Sequence, residues 1–185
     1  KGKNKSFKVD AVFDADLKSG EVDISKLAIA LLGATVDGNI KASNVLSETP
    51  GYKGKLNAAG PDLPTLLQVI GQAQGDPESS LLEYGKKFAS VKNKAFKINT
   101  GFDADLKSGN INVPTLDIAT LGITVKGKLV AKAMHTDNGV IDGNLKIDGK
   151  SIAGLLVALD QQPLSEVLKS INVNAGISGN TGNLT

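Results

Sequence analysis

The chain has no cysteine, no tryptophan, one histidine, one methionine and only five Phe and two Tyr in 185 residues. Without cysteine there is no disulfide scaffold, Cys-ligated zinc, iron–sulfur cluster or thiol nucleophile. A single histidine removes most His-based metal and acid/base sites. An excess of one charge is also missing: 21 Lys plus Arg face 19 Asp plus Glu, a net +2 too balanced for a surface that neutralises nucleic-acid phosphates. Nucleic acid is therefore not an expected partner. Long apolar runs are absent too. The best candidate, Leu27 to Val36, is broken by Gly33 and Thr35 and falls short of the roughly 18 residues a membrane-spanning helix needs. Glycine, by contrast, is plentiful at 21 residues, which favours turn-dense β structure. The opening KGKNKSFKVD and the closing SGNTGNLT read as the ends of a segment of a longer protein.

The chain repeats itself. FDADLKSG stands at Phe13–Gly20 and again at Phe102–Gly109, and at that offset of 89 residues positions 7–72 match 96–161 at 25 of 66 places. Outside the octapeptide the retained residues are mainly apolar or glycine, among them Phe7/Phe96, Ile29/Ile118, Gly38/Gly127 and Gly54/Gly143. A duplicated catalytic site would keep polar residues. This duplication keeps scaffold positions.

Within a unit the apolar period is two. Phe7, Val9, Ala11, Phe13, Ala15 and Leu17 alternate with mostly polar residues, which predicts a half-buried strand ending at Lys18-Ser19-Gly20. The next strand starts Val22, Ile24 and resumes Leu27, Ile29, so its phase slips near Ser25-Lys26 as at a β-bulge, and Pro114 occupies that place in the second copy. Two further strands follow. The period then turns helical: Leu63, Leu66, Leu67 and Ile70 follow Asp62 as N-cap, and a second short helix follows in each unit. The chain is thus expected to be α+β and mostly β: tandem repeats of a curved antiparallel four-stranded sheet, each with one or two short helices. The first unit spans 1–93 with helices near 62–72 and 77–89. The second spans 94–171 with helices near 150–160 and 163–170, and 172–185 opens a third.

The polar motifs do not add up to chemistry. Asp14 and Asp16 have calcium-loop spacing, but Lys18 and Ser25 stand where further oxygen ligands belong. Gly149-Lys150-Ser151 resembles the end of a phosphate-binding loop, yet Asn144 replaces the required glycine and the first copy reads Gly60-Pro61-Asp62. His135 aligns with Leu46, so no Ser/His/Asp set could serve both units. No catalytic residue, metal or cofactor is expected, and the chain does not read as an enzyme. The information lies in an apolar sheet face that needs a cover. Helices and neighbouring sheet could close it, or it could stay open as a ligand or partner surface; periodicity reveals the face and not its cover.

The blocks FDADLKSG, LLGATVDGNI, YKGKLNAAG and PDLPTLLQVIG, with FDADLKSG, LGITVKGKL, VIDGNLKIDG and IAGLLVAL in the second unit, resemble the AsmA family of bacterial envelope proteins. Asp62-Leu63-Pro64 departs from that pattern in the second copy, becoming Ser151-Ile152-Ala153. The resemblance implies a periplasmic, inner-membrane-anchored protein of Gram-negative bacteria, its anchor outside this segment. Its β units would stack with neighbouring repeats of the same protein into a taco-like β-groove. It further implies a non-enzymatic role in outer-membrane biogenesis, with phospholipid as partner. Phe7, Val9, Phe13, Leu17, Phe96, Ile98, Phe102 and Leu106 would line that groove for acyl chains. The alternative is an envelope scaffold whose sheet edges bind protein partners without lipid.

Overall fold

The computed structural model describes residues 7–76 and 78–180, and the backbone of 183 and 184. Four strands come first, β1 (Phe7–Asp16), β2 (Glu21–Leu31), β3 (Ala34–Ser43) and β4 (Gly51–Gly60), followed by α1 (Leu63–Ala73), α2 (Ser80–Lys87) and a 3-10 turn at Phe88–Ser90. Then come β5 (Phe96–Asp105), β6 (Asn110–Thr120), β7 (Ile123–Lys132) and β8 (Val140–Gly149), α3 (Ala153–Ala158), α4 (Gln162–Val167), β9 (Ile171–Asn180) and β10 (Asn183–Leu184). The bounds of β1–β4 and β5–β8 differ, strand for strand, by the 89 residues that separate the sequence copies. The third-unit start at 172 falls within β9. Pro77, where the second helix was expected to begin, lies outside the described residues, as do 1–6, 181, 182 and 185.

The class is mostly antiparallel sheet with a few short helices. The four-stranded groups are not separate sheets, because β4 pairs with β5 and β8 with β9, giving a single ten-stranded sheet in the order β1 to β10. Each strand pairs with its sequence neighbour, through hairpins within each group of four and through the helical segments between β4 and β5 and between β8 and β9. The expected bulge is present: the β2–β3 register slips between Ile24 and Leu27, and the β6–β7 register between Val113 and Leu116. Pro114 sits in that second slip, where a missing N–H costs no ladder bond.

Turn chemistry is also shared. The β2–β3 and β6–β7 hairpins turn through Leu32-Gly33 and Leu121-Gly122, all four at positive φ (56°, 80°, 51° and 86°), the two-residue geometry whose twist matches the flanking strands. Leucine is strained there. Leu121 offsets this by burial at the centre of the main core cluster, with Val91, Leu155 and Ala158, against which Leu63, Phe88 and Ile123 pack.

That cluster locates the helices. They meet the sheet along the rim of strand ends that carries Ala34, Phe96, Leu121 and Ile152, all buried, and they pack chiefly on one another. They cover the apolar face at this rim only. Helix α1 is longer than α3 for a local reason: Asp62 caps α1 by accepting a 3.0 Å hydrogen bond from the Thr65 amide. In α3 the cap position is Ile152, which has no side-chain bond, and the left-handed φ of Asp160 (60°) stops the chain soon after.

Candidate functional site

In an antiparallel sheet, residues paired across strands project to the same side, so the register maps each face. The row from Val9 through Ile29, Val36, Ala58, Ile98, Ile118, Val125 and Ile147 to Val173 is aliphatic across nine strands. The next row runs Ala11, Leu27, Gly38, Leu56, Thr100, Leu116, Gly127, Leu145 and Ala175. On this face, from β1 to β9, no paired position carries a charge; Tyr52, Thr100 and Thr120 are the only hydroxyl bearers.

Glycines shape the surface. Phe102 Cζ lies 3.1 Å from where a Cβ on Gly54 would stand, Leu56 Cδ2 3.0 Å from that of Gly38, and Leu145 Cδ2 2.7 Å from that of Gly127. Large side chains thus lean over glycines of the adjacent strand, and the floor stays low without a void. Most of this face is half-buried by lateral neighbours alone, and at β1 it is open, with Phe7 65% and Phe13 71% exposed.

The eight residues named from sequence divide three ways. Phe7, Val9, Phe13, Ile98 and Phe102 stand on the apolar face. Phe96 stands on it but is only 6% exposed at the helix-covered rim, where its ring fills the space above Gly60, so it belongs to the covered part of the face. Leu17 and Leu106 are corrections: β1 and β5 end at Asp16 and Asp105, and both leucines lie in the turns beyond, exposed and outside the ladder. Alternation continues through Leu17 in the sequence, but the turn breaks the strand first. The other members of the face, such as Ile29, Ile118 and Ile147, are signalled by their own strands' alternation. Only the register puts them in one row.

The opposite face is wet and pairs charges between strands: Lys26–Asp10 at 2.6 Å, Lys41–Asp23 at 2.8 Å, Lys53–Asp103 at 2.8 Å and Lys126–Asp117 at 3.4 Å. Exposed pairs of this kind each contribute ~0.2–1 kcal/mol and weaken with salt.

The repeated octapeptide is explained by its turn. Asp16 Oδ1 accepts from the Lys18 amide at 2.8 Å, its carbonyl accepts from the Gly20 amide at 2.9 Å, and Gly20 has φ 71°. In the second copy Asp105 accepts from the Lys107 amide at 2.9 Å and from the Ser108 hydroxyl at 2.8 Å. This is an Asx-turn, so the carboxylate serves the hairpin. The Lys18 amide, with Ser19, holds the Asp16 carboxyl below the usual carboxylate value of 3.8, and Ser108, with the Lys107 amide, does the same for Asp105. A folded-state value below the unfolded one stabilises the fold above pH 3.8, and that contribution is lost as pH falls through the folded value. The Asp16→Ala/Asp105→Ala variant is therefore expected to lose less of its urea midpoint between pH 6 and pH 3 than the wild type. Equal losses in the two proteins would contradict this role.

Compared with known proteins, the chain matches no family model, no curated protein and no solved structure.

Proposed function

We propose that this chain is a non-enzymatic, periplasmic segment of an AsmA-like protein that binds or conducts phospholipid acyl chains along the apolar face of its sheet, in the service of outer-membrane biogenesis. In this reading the repeats curve into a groove, stack with further repeats of the same protein, and are held at the inner membrane by an anchor elsewhere in it. The observation that carries the reading is the uncharged face of nine strands, largely left uncovered by the helices. Soluble proteins seldom leave contiguous apolar patches beyond a few hundred Å2 exposed, and those that do use them for ligands, partners or membranes. Acyl chains satisfy such a face because they need no hydrogen bonds, and moving along it involves no bond chemistry, only continued shelter from water.

Photocrosslinking from positions 13 and 102 tests the proposal. Lipid adducts at both positions are the expected result, and protein crosslinks without lipid adducts would overturn it. That outcome would favour the second reading, a scaffold that binds protein by strand addition. It has its own support in β1, whose outer edge pairs with no strand among the described residues and whose side chains are mostly exposed.

A further inference from the structure

At the helix-covered rim a cleft of about 440 Å3 opens between the end of the 3-10 turn, the Leu121-Gly122 hairpin and the segment leading into α3. Its floor is apolar, formed by Val91 and Leu121, each 5% exposed. Its polar lining includes Lys92, Lys150, Ser90, Ser151 and Asn93, and among the described residues no carboxylate lines it. Neither lysine forms an ion pair among the described residues. The cleft therefore combines two uncompensated positive charges with hydroxyl and amide donors over an apolar base. A second cleft shares Asn93 and Gly122 with it and lies at the strand ends, lined by Phe96, Thr120 and Ile123 of the apolar face and by Lys97, Ala119 and Thr124 of the opposite one. There Thr120 Oγ1 is buried and has no hydrogen-bond partner among the described residues, a costly state for a hydroxyl.

The second lysine belongs to this seam and not to the repeat: Lys92 corresponds to Lys3 in the first copy, whereas Lys150 has no basic counterpart. At the offset of 89, Lys150-Ser151 corresponds to Pro61-Asp62, and the Asp62 carboxylate is engaged in capping α1. The Gly-Lys-Ser motif, which fits no nucleotide loop, thus acquires a place of its own.

We propose that this cleft binds a phosphate group, and that the phosphate it takes is the head group of an anionic amphiphile whose tail lies on the adjoining apolar face. Lys92 and Lys150 supply charge, Ser90 and Ser151 supply hydroxyl donors, and the apolar floor accepts the first methylenes. Only the placing of the tail rests on the acyl-chain reading; the anion site stands on the cleft itself.

The test incubates the chain with vesicles of equal phosphatidylglycerol and phosphatidylcholine content, then extracts and weighs the bound lipid by class. In parallel, inorganic phosphate is titrated while the Lys92 and Lys150 resonances are followed. The expected result is enrichment of the anionic lipid, reduced roughly tenfold in Lys92→Glu/Lys150→Glu at unchanged total acyl load and unchanged melting, and retained in Lys92→Arg/Lys150→Arg. Bound lipid without class preference, and no response to phosphate, would overturn the site and leave the acyl-chain reading standing. A phosphate response without any bound lipid would keep the anion site, assign it to a free phosphate and overturn both the head-group assignment and the acyl-chain reading.

Discussion

Gly127→Ala is expected to lower the melting temperature by roughly 6–12 °C. The reason is backbone proximity. A Cβ at Gly127 would run into the Asn144 carbonyl oxygen and stand 2.7 Å from Leu145 Cδ2. The oxygen cannot retreat, because β8 is held by ladders on both sides, to β7 and to β9. Forced overpacking of this kind costs ~3 kcal/mol, and each kcal/mol moves the midpoint of a chain this size by about 2–4 °C. Gly38→Ala should behave alike, since its Cβ would meet the Lys55 carbonyl oxygen in the equivalent place. Gly154→Ala is the control: a Cβ there meets nothing within 4 Å, the residue lies in α3, and the change should raise stability by ~0.5–1 kcal/mol. Thermal melts followed by circular dichroism read all three. An unaltered melt for both Gly127→Ala and Gly38→Ala would remove close strand approach as the reason these glycines recur.

Phe102→Asp is expected to strip bound lipid at least tenfold while the sheet stays folded. Phe102 is half-buried, its ring lying over Gly54, and its outer surface belongs to the uncharged face. A carboxylate placed against acyl chains must lose its water without gaining a partner, a penalty of several kcal/mol, whereas in the lipid-free protein it stays hydrated. Phe13→Asp, at a site 71% exposed, should show the same loss of lipid with even less effect on folding. Mass spectrometry of extracted lipid and circular dichroism of the same samples separate the outcomes. Unfolding of both variants would mean that the face is closed core. Folded variants with wild-type lipid content would place the acyl chains elsewhere.

Much of the fold is legible from local chemistry. The alternation Phe7, Val9, Ala11, Phe13 marks β1, the phase slip at Ser25-Lys26 marks the bulge, and Asp62 marks the start of α1, because period, bulge and cap are set by neighbours within a few residues. Leu17 and Leu106 fail for the same reason in reverse. Apolar character continues the alternation by one step, but Asp16 and Asp105 have already bent the chain into turns by accepting their amides. Helix α3 is shorter than its leucine spacing predicts, since that spacing persists where neither a side-chain cap nor right-handed backbone supports a longer helix.

The repeat of 89 residues, the two-sided strands and the positions where only glycine is kept are legible residue by residue, because they follow from short-range sterics and from which residues tolerate water. Three matters were decided by tertiary structure. β4 pairs with β5 and β8 with β9, so that the units share one sheet; the helices gather at one rim and leave most of the apolar face uncovered; and Lys92 and Lys150 line the same cleft. None of these has a local signal. Strand pairing, helix docking and the sharing of one cleft by two lysines 58 positions apart depend on where distant segments bury surface together, and alternation specifies only which side of a strand avoids water.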